Sequence, residues 1–400
     1  MSVAPNPAVV FAMTATGLAA ARSLHRRGVT VYGVDSKRWE VGHRSTELRR
    51  PPFGFEPPGA ELAAAVAAWA GTQPGPPVLV PADDPACEFL SAQHRLLRRS
   101  CLLTDGYRPE IAPVLVDKRT FYRRCLDLGV DLPRTLFLDE AGALEPRLAG
   151  LRFPVILKPA HGYRWRRRFH GAKVLEVGSR DDLLRALETL GDDGPGMTVQ
   201  EVVPGPEREI FVCAAYFRAD GTPQAAFTAR KTRQYPPRFG SGSLLRSEWQ
   251  AEVARLSLDL VGRLGYAGIC GTEYKPDPRD GRWKLIEVNP RPTLWFSLCR
   301  AAGCDVVYHA YRDLVGRPLE PQIGRQRDGV RWQYLLRDLL SLGRYLREGS
   351  AGGRELLEAL SPWRKDEAIA SLRDPGATLY YPLYGFRQWR AHARGEDTGP

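Results

Sequence analysis

The stretch Gly271–Arg291, GTEYKPDPRDGRWKLIEVNPR, decides how the rest of this 400-residue chain is read. It predicts two strands, Ile269 to Lys275 and Trp283 to Val288, joined by the turn PDPRDG. A hairpin of this length brings Glu273 on the first strand close to Glu287 near the end of the second. Asn289 projects from the same face as Glu287, because side chains alternate along a strand. Two carboxylates and an amide oxygen converging on one point suit a hard divalent cation such as Mg²⁺, which takes oxygen ligands and shares them with phosphates. The competing reading is a solvated hairpin with scattered acids. Against it, Glu287 lies between Ile286 and Val288 and is followed by a rigid Asn-Pro, and buried acids are usually paired or metal-bound.

Upstream, Phe153 to Lys158 reads as an apolar strand ending in a lysine, followed by the loop HGYRWRRRFHGAK and a returning strand, Val174 to Val177. A lysine facing a loop bracketed by Gly162 and Gly171 is a candidate phosphate cradle. In that loop Arg164, Arg166, Arg167 and Arg168 are interleaved with Tyr163, Trp165 and Phe169, a mixture that suits either a lid over a phosphorylated ligand or a nucleic-acid contact. Lys118 opens a helix running to about Leu128, with Gly129 as its C-cap. A lysine there opposes the helix dipole and calls for an anionic partner, the alternative being an ordinary surface lysine. Thr198 to Val203 and Glu209 to Phe217 read as strands, offering Glu201 as an acceptor, Val203 as a main-chain edge and Glu209 as a group within reach of a sugar hydroxyl. Ala225 to Ala229 is another strand, after which Arg230 to Pro237 and the flexible Gly240 to Ser243 read as a long polar loop.

The N-terminus opens as a βαβ unit with a parallel sheet: strand Ala8 to Met13, helix Leu18 to Arg27, strand Val29 to Val34. Its first turn offers one glycine where a dinucleotide fingerprint needs three, so cofactor binding there is weakly indicated. Helix Ala60 to Trp69 and strand Val78 to Val80 continue the alternation. Asp83 and Asp84 then stand at a strand's carboxyl end, either as ligand groups or as a helix cap. The tail beyond 325 reads as helical over Arg331 to Tyr345 and Gly353 to Leu360, with an aromatic run from Leu379 to Trp389 and no catalytic constellation. Trp295 is either a substrate wall or core.

Composition bounds the function. With 43% hydrophobic and 26% charged residues the chain reads as globular, and its longest Ala-rich apolar stretch, Ala60 to Ala70, is too short for a bilayer span. The N-terminus lacks a basic signal-peptide region and is read as part of the fold. Seven scattered cysteines without a Cys-x-x-Cys pair argue for reduced thiols and a cytoplasmic protein. The formal charge of +11 accompanies no nucleic-acid motif and is explained equally well by anionic substrates such as nucleotide phosphates.

The order of these features, with Lys118, Lys158 and its glycine loop, Gln200-Glu201-Val202-Val203, Glu209, Glu273 and Glu287-x-Asn289-Pro-Arg291, resembles the ATP-grasp superfamily over residues 8 to 320, and within it the carboxylate-amine ligases. The resemblance implies an α/β protein: a Rossmann-like pre-ATP-grasp domain (1–112), an ATP-grasp domain (113–320, its lid at about 150–203) and a helical C-terminal extension (321–400). It implies that Lys118 and Lys158 contact ATP phosphates, that Glu201 and Val203 form the adenine hinge, and that Glu209 holds the ribose. Glu273, Glu287 and Asn289 would hold Mg²⁺, or Mn²⁺ in its place. The implied chemistry is attack of a substrate carboxylate on the γ-phosphate, then of an amine on the acyl phosphate. Arg291, Arg230, Lys231 and Arg233 are candidates for gripping the acyl phosphate or carboxylate, with surface or ion-pair roles as the alternative for each. Expected partners are small carboxylate and amine substrates, an amino acid or short peptide among them, and a second copy in a homodimer, with no membrane and no nucleic acid. The Arg/Trp-rich loop departs from the small glycine-rich lid of the family. Two other readings stand beside this one: an ATP-grasp enzyme with a non-amine acceptor, and a non-catalytic nucleic-acid or regulatory binder using that loop.

Overall fold

The structure is a computed structural model that describes residues 6–55, 58–140, 144–163, 165, 173–361 and 365–393. The first apolar runs form a parallel sheet in which Ala8–Phe11 (β1) lies between Val31–Val34 (β2) and Val78–Pro81 (β3). Covered on both faces, such strands read as unbroken apolar runs, as AVVF and VLVP do. Gly17, the one glycine of the first turn, serves packing: a Cβ there would overlap the Ala12 carbonyl.

Thr135–Phe137 (β4), Val155–Pro159 (β5), Leu175–Val177 (β6) and Met197–Glu201 (β7) make a small antiparallel sheet in the order β4-β7-β5-β6. An eight-stranded sheet follows. It is built from Phe211–Phe217 (β8), Pro223–Tyr235 (β9), Ser241–Ser247 (β10), Ile269–Pro276 (β11), Trp283–Asn289 (β12), Gln322–Ile323 (β13), Arg331–Gln333 (β14) and Lys365–Glu367 (β15). Its order is β12-β11-β8-β9-β10-β14-β15, with β13 beside β9.

Three expectations are corrected here. Of the segment from Arg230 to Ser243, read as a polar loop, only residues 236–240 form a turn; Arg230 to Tyr235 and Ser241 to Ser243 belong to the paired strands β9 and β10. Its charges misled because Lys231 and Arg233 point inward onto Glu273 and Asp338. Glu209 lies in a short 3₁₀ turn, Glu207–Glu209, ahead of β8 rather than on that strand. The tail is helical over Leu335–Arg347, Gly353–Leu360 and Pro375–Ala393, and it also returns two strands. Within β14 Trp332 is fully buried and its indole N–H donates to Ser297 at 2.9 Å, which explains why the helix expected from Arg331 starts later.

One continuous core joins the N-terminal sheet and its first helix to the large sheet and to Trp332, Tyr381 and Tyr384 of the tail. Buried Arg22 donates to Asp374 at 2.8 Å, clasping the tail to the N-terminal unit. All seven cysteines are buried free thiols. Among the described residues no helix is long and apolar enough to cross a membrane.

Candidate active site

The hairpin forms as the sequence predicts. Glu273 and Glu287 are directly opposed in the β11/β12 register, and Gly271 pairs with Asn289. Both carboxylates and Asn289 therefore share the face that lines a cleft with two lobes of about 180 and 650 Å³. The lobes share walls from Ile156, Lys158, Ile210 and Ile286.

The smaller lobe is cationic. Lys118, Lys158, Lys173, Lys231, Arg238 and Arg291 line it against Asp84, Glu273 and Glu287, an imbalance that favours a polyanion. Lys118 begins the helix Lys118–Asp127, whose N-cap Asp117 accepts from the Arg119 and Thr120 amides. Its ammonium donates to Glu287 at 2.8 Å, and Lys231 donates to Glu273 at 2.6 Å. Burial alone would raise the Glu287 carboxyl, but Lys118, Lys173 and Lys158 overcome it and hold the group well below the usual carboxylate range. Among the described residues, Lys158 has no carboxylate in direct contact. Its ammonium donates to Gln200 Oε1 at 2.6 Å and to the Tyr122 hydroxyl at 3.0 Å, and burial pushes it down to about 8. Arg291 donates to Asp84 at 2.7 Å, tying the end of the hairpin to the N-terminal sheet. Asp83 caps the next helix by accepting from the Ala86 amide.

The larger lobe is a slot between the small antiparallel sheet and the mixed eight-stranded sheet, with Phe153, Ile156, Ile210 and Ile286 as apolar walls and the segment Glu201–Val203 along one edge. Lys275 donates to the Val203 carbonyl at 2.9 Å and the Gly205 carbonyl at 2.6 Å, fixing the turn. Among the described residues the Val203 amide donates to no protein acceptor. A donor held rigidly beside an apolar slot fits the edge of a flat heteroaromatic base. Glu201 is turned away, its carboxylate accepting from the Arg152 amide at 3.0 Å and from Arg279 at 2.7 Å. Glu209 lies at the turn, where its carboxylate would meet a Cβ on Gly205 at 2.7 Å.

Two expected site residues are committed elsewhere. Arg230 forms a two-pronged pair with Glu248 at 2.9 and 2.6 Å and stacks on Phe211, while Arg233 is gripped by buried Asp338 at 2.8 and 2.7 Å. Of the loop read as a lid, residues 162, 163 and 165 are described; Trp165 is buried, and Arg164, Arg166, Arg167, Arg168 and Phe169 lie outside the described residues. Trp295 is 4% exposed, belonging to the core while also edging the smaller lobe. Sequence reasoning missed Tyr122, Gln200 and Lys275 as supports. Tyr122 was legible, since it lies four residues after Lys118 on one helix face.

The donor set fits a divalent cation. Two opposed carboxylates and an amide oxygen are hard ligands, and each carboxylate now carries an ammonium where a cation's charge would lie. No protein-family model matches the sequence. Over 187 residues the chain is 27% identical to D-aspartate ligase of Enterococcus faecium, covering 44% of each. Over 193 residues it is 31% identical to N5-carboxyaminoimidazole ribonucleotide synthase of Synechococcus elongatus, covering 46% of this chain and 44% of that protein. The matches thus span less than half of each curated relative. In fold the chain is similar to the biotin carboxylase domain of 2-oxoglutarate carboxylase from Hydrogenobacter thermophilus, solved as a dimer with MgADP, ADP and bicarbonate. That likeness has a TM-score of 0.61 at 14% identity, covering 81% of this chain and 72% of that one.

Proposed function

Since the chain belongs to the ATP-grasp superfamily, we propose that it is an ATP-dependent ligase that joins a carboxylate to an amine through an acyl phosphate, releasing ADP and phosphate. The observation that carries this reading is the opposed pair Glu273 and Glu287 with Asn289 beside it, beneath a lobe crowded with lysines.

In this reading adenine enters the larger lobe against Ile156, Ile210 and Ile286 and takes the Val203 amide, while Glu209 faces the ribose. Glu201 supports the slot through Arg152 and Arg279 rather than by its own contact. Lys158 and Lys118 meet the phosphates, Lys118 exchanging Glu287 for a phosphate oxygen. Glu273, Glu287 and Asn289 hold Mg²⁺, which when bound supplies neutralising charge to the phosphate oxygens. Lys231 and Arg291 hold the carboxylate in line with the γ-phosphate. Electrostatic positioning accounts for the step without a covalent nucleophile. The sequence similarity to D-aspartate ligase supports an amine acceptor.

The test is mass spectrometry of products after incubation with ATP, Mg²⁺ and pooled amino acids and organic acids. An amide product with matching ADP is expected, and Glu287→Gln should lower turnover by about a hundredfold or more. AMP and pyrophosphate as products would overturn the reading. ADP release with no amine present would favour another acceptor.

A further inference from the structure

The apolar side chains that the fold leaves in solvent are concentrated at one end of the chain. Leu339, Leu340 and Leu346 are exposed on the helix Leu335–Arg347, and Leu379, Leu383, Phe386 and Trp389 on the helix Pro375–Ala393. Leu379 is 82% exposed and Trp389 58%. These are large side chains at near-helical spacing, not scattered single residues.

The start of the first helix meets the middle of the second. Leu336 sits against Gly385, the Leu336 amide donates to the Tyr381 hydroxyl at 3.1 Å, and Tyr334 reaches Gln388 at 3.2 Å. Leu339 and Leu340 stand one turn beyond Leu336, and Phe386 and Trp389 flank Gly385 and Gln388. Phe386 and Trp389 stack on each other with centroids 5.9 Å apart. Leu379, Leu383, Phe386 and Trp389 thus stand on one side of the second helix, away from its buried Tyr381 and Tyr384.

Its charges have one sign. Arg344, Arg347, Arg387 and Arg390 are exposed on the same two helices. The single acid within these helices, Asp338, is fully buried and committed to Arg233. Of the acids that flank them, Glu348 faces the larger lobe of the cleft and Asp374 is buried against Arg22. A second copy docking by two-fold symmetry would set these arginines against themselves, since an isologous interface pairs a patch with itself. An anionic lipid surface has the complementary charge, and arginines bordering leucine, phenylalanine and tryptophan are the pattern of a face that lies in the interfacial plane.

We propose that this face docks the protein peripherally on an anionic membrane surface, with Leu379, Leu383, Phe386 and Trp389 entering the headgroup region and Arg344, Arg347, Arg387 and Arg390 meeting lipid phosphates. The expectation of no membrane partner rested on the lack of a spanning segment, which a peripheral contact does not need. The helix Leu335–Arg347 also touches the nucleotide side of the cleft through Tyr345, whose hydroxyl donates to Glu207. The docking face is thus the outer side of an element whose inner side borders the active site.

Co-sedimentation of the full chain with vesicles tests this. Binding is expected to phosphatidylglycerol/phosphatidylcholine vesicles, weakening in high salt, and not to phosphatidylcholine alone. R387E/R390E should weaken it about thirtyfold, and F386A/W389A should abolish it, with circular dichroism and thermal unfolding unchanged in both variants. Failure to bind anionic vesicles, or binding that both variants retain, overturns the proposal. So does a dimer in sedimentation velocity that F386A/W389A converts to monomer, since a second copy would then be the occupant.

Discussion

Lys158 is the side chain whose state most directly reports the site. Among the described residues no carboxylate is in direct contact with it, and burial holds its ammonium at about 8 against an ordinary 10.5. Between those values the unfolded chain binds more protons than the folded one, so this group makes folding more favourable as pH rises through the window. Its full burial penalty is present below about pH 8. A bound phosphate favours the charged form, so ADP affinity should fall as pH rises above 8, by at most about tenfold per unit for one proton. Calorimetric titration with ADP from pH 7 to 9.5 measures this. Lys158→Met should lose both most of the affinity and the pH step, and a flat profile in the unaltered protein would remove Lys158 from the phosphate site.

At the level of elements, β9 shows how similar charged residues do unlike work. Arg233 and Asp338 are 5% and 0% exposed, so Asp338→Asn leaves a buried guanidinium with only the more distant Glu358, at 4.0 Å, as counter-charge and should destabilise the fold by about 3 kcal/mol. Arg230 and Glu248 are each more than a third exposed, and solvent screening limits Glu248→Gln to under about 1 kcal/mol. Urea denaturation of the two variants measures the contrast. The same strand marks where sequence reading fails. Arg230 to Tyr235 is basic and polar, which resembles a loop when the partners are unknown. Those partners lie 42, 18 and 105 residues away: Glu273 on β11, Glu248 just after β10 and Asp338 on the helix Leu335–Arg347. The hairpin β11/β12 was legible for the opposite reason: turn chemistry, strand alternation and the Glu-x-Asn spacing are all local, although the irregularity in its pairing after Glu273 has no such local signal.

Across the whole molecule, the parallel N-terminal sheet and strands such as β5 and β8 follow from runs of apolar residues, whereas the second half of β9, β10 and the path of the tail do not. Its strands β14 and β15 are three residues each and are held by pairing to β10 and to one another, a non-local arrangement with almost no sequence signature. The cleft shares that dependence on assembly. Arg291 comes from the hairpin, Asp84 from the N-terminal sheet and Lys158 from the small sheet, so the site exists only when all three units are packed. In the proposed reading, this assembled cleft transfers a phosphoryl group to a carboxylate. The most direct test uses the carboxylate substrate labelled with ¹⁸O in both oxygens, with phosphate and amide analysed by mass spectrometry. An acyl phosphate carries one labelled oxygen into inorganic phosphate for each amide formed and leaves the other in the amide, with ADP as the nucleotide product. Unlabelled phosphate, or label recovered in AMP, would contradict the assignment.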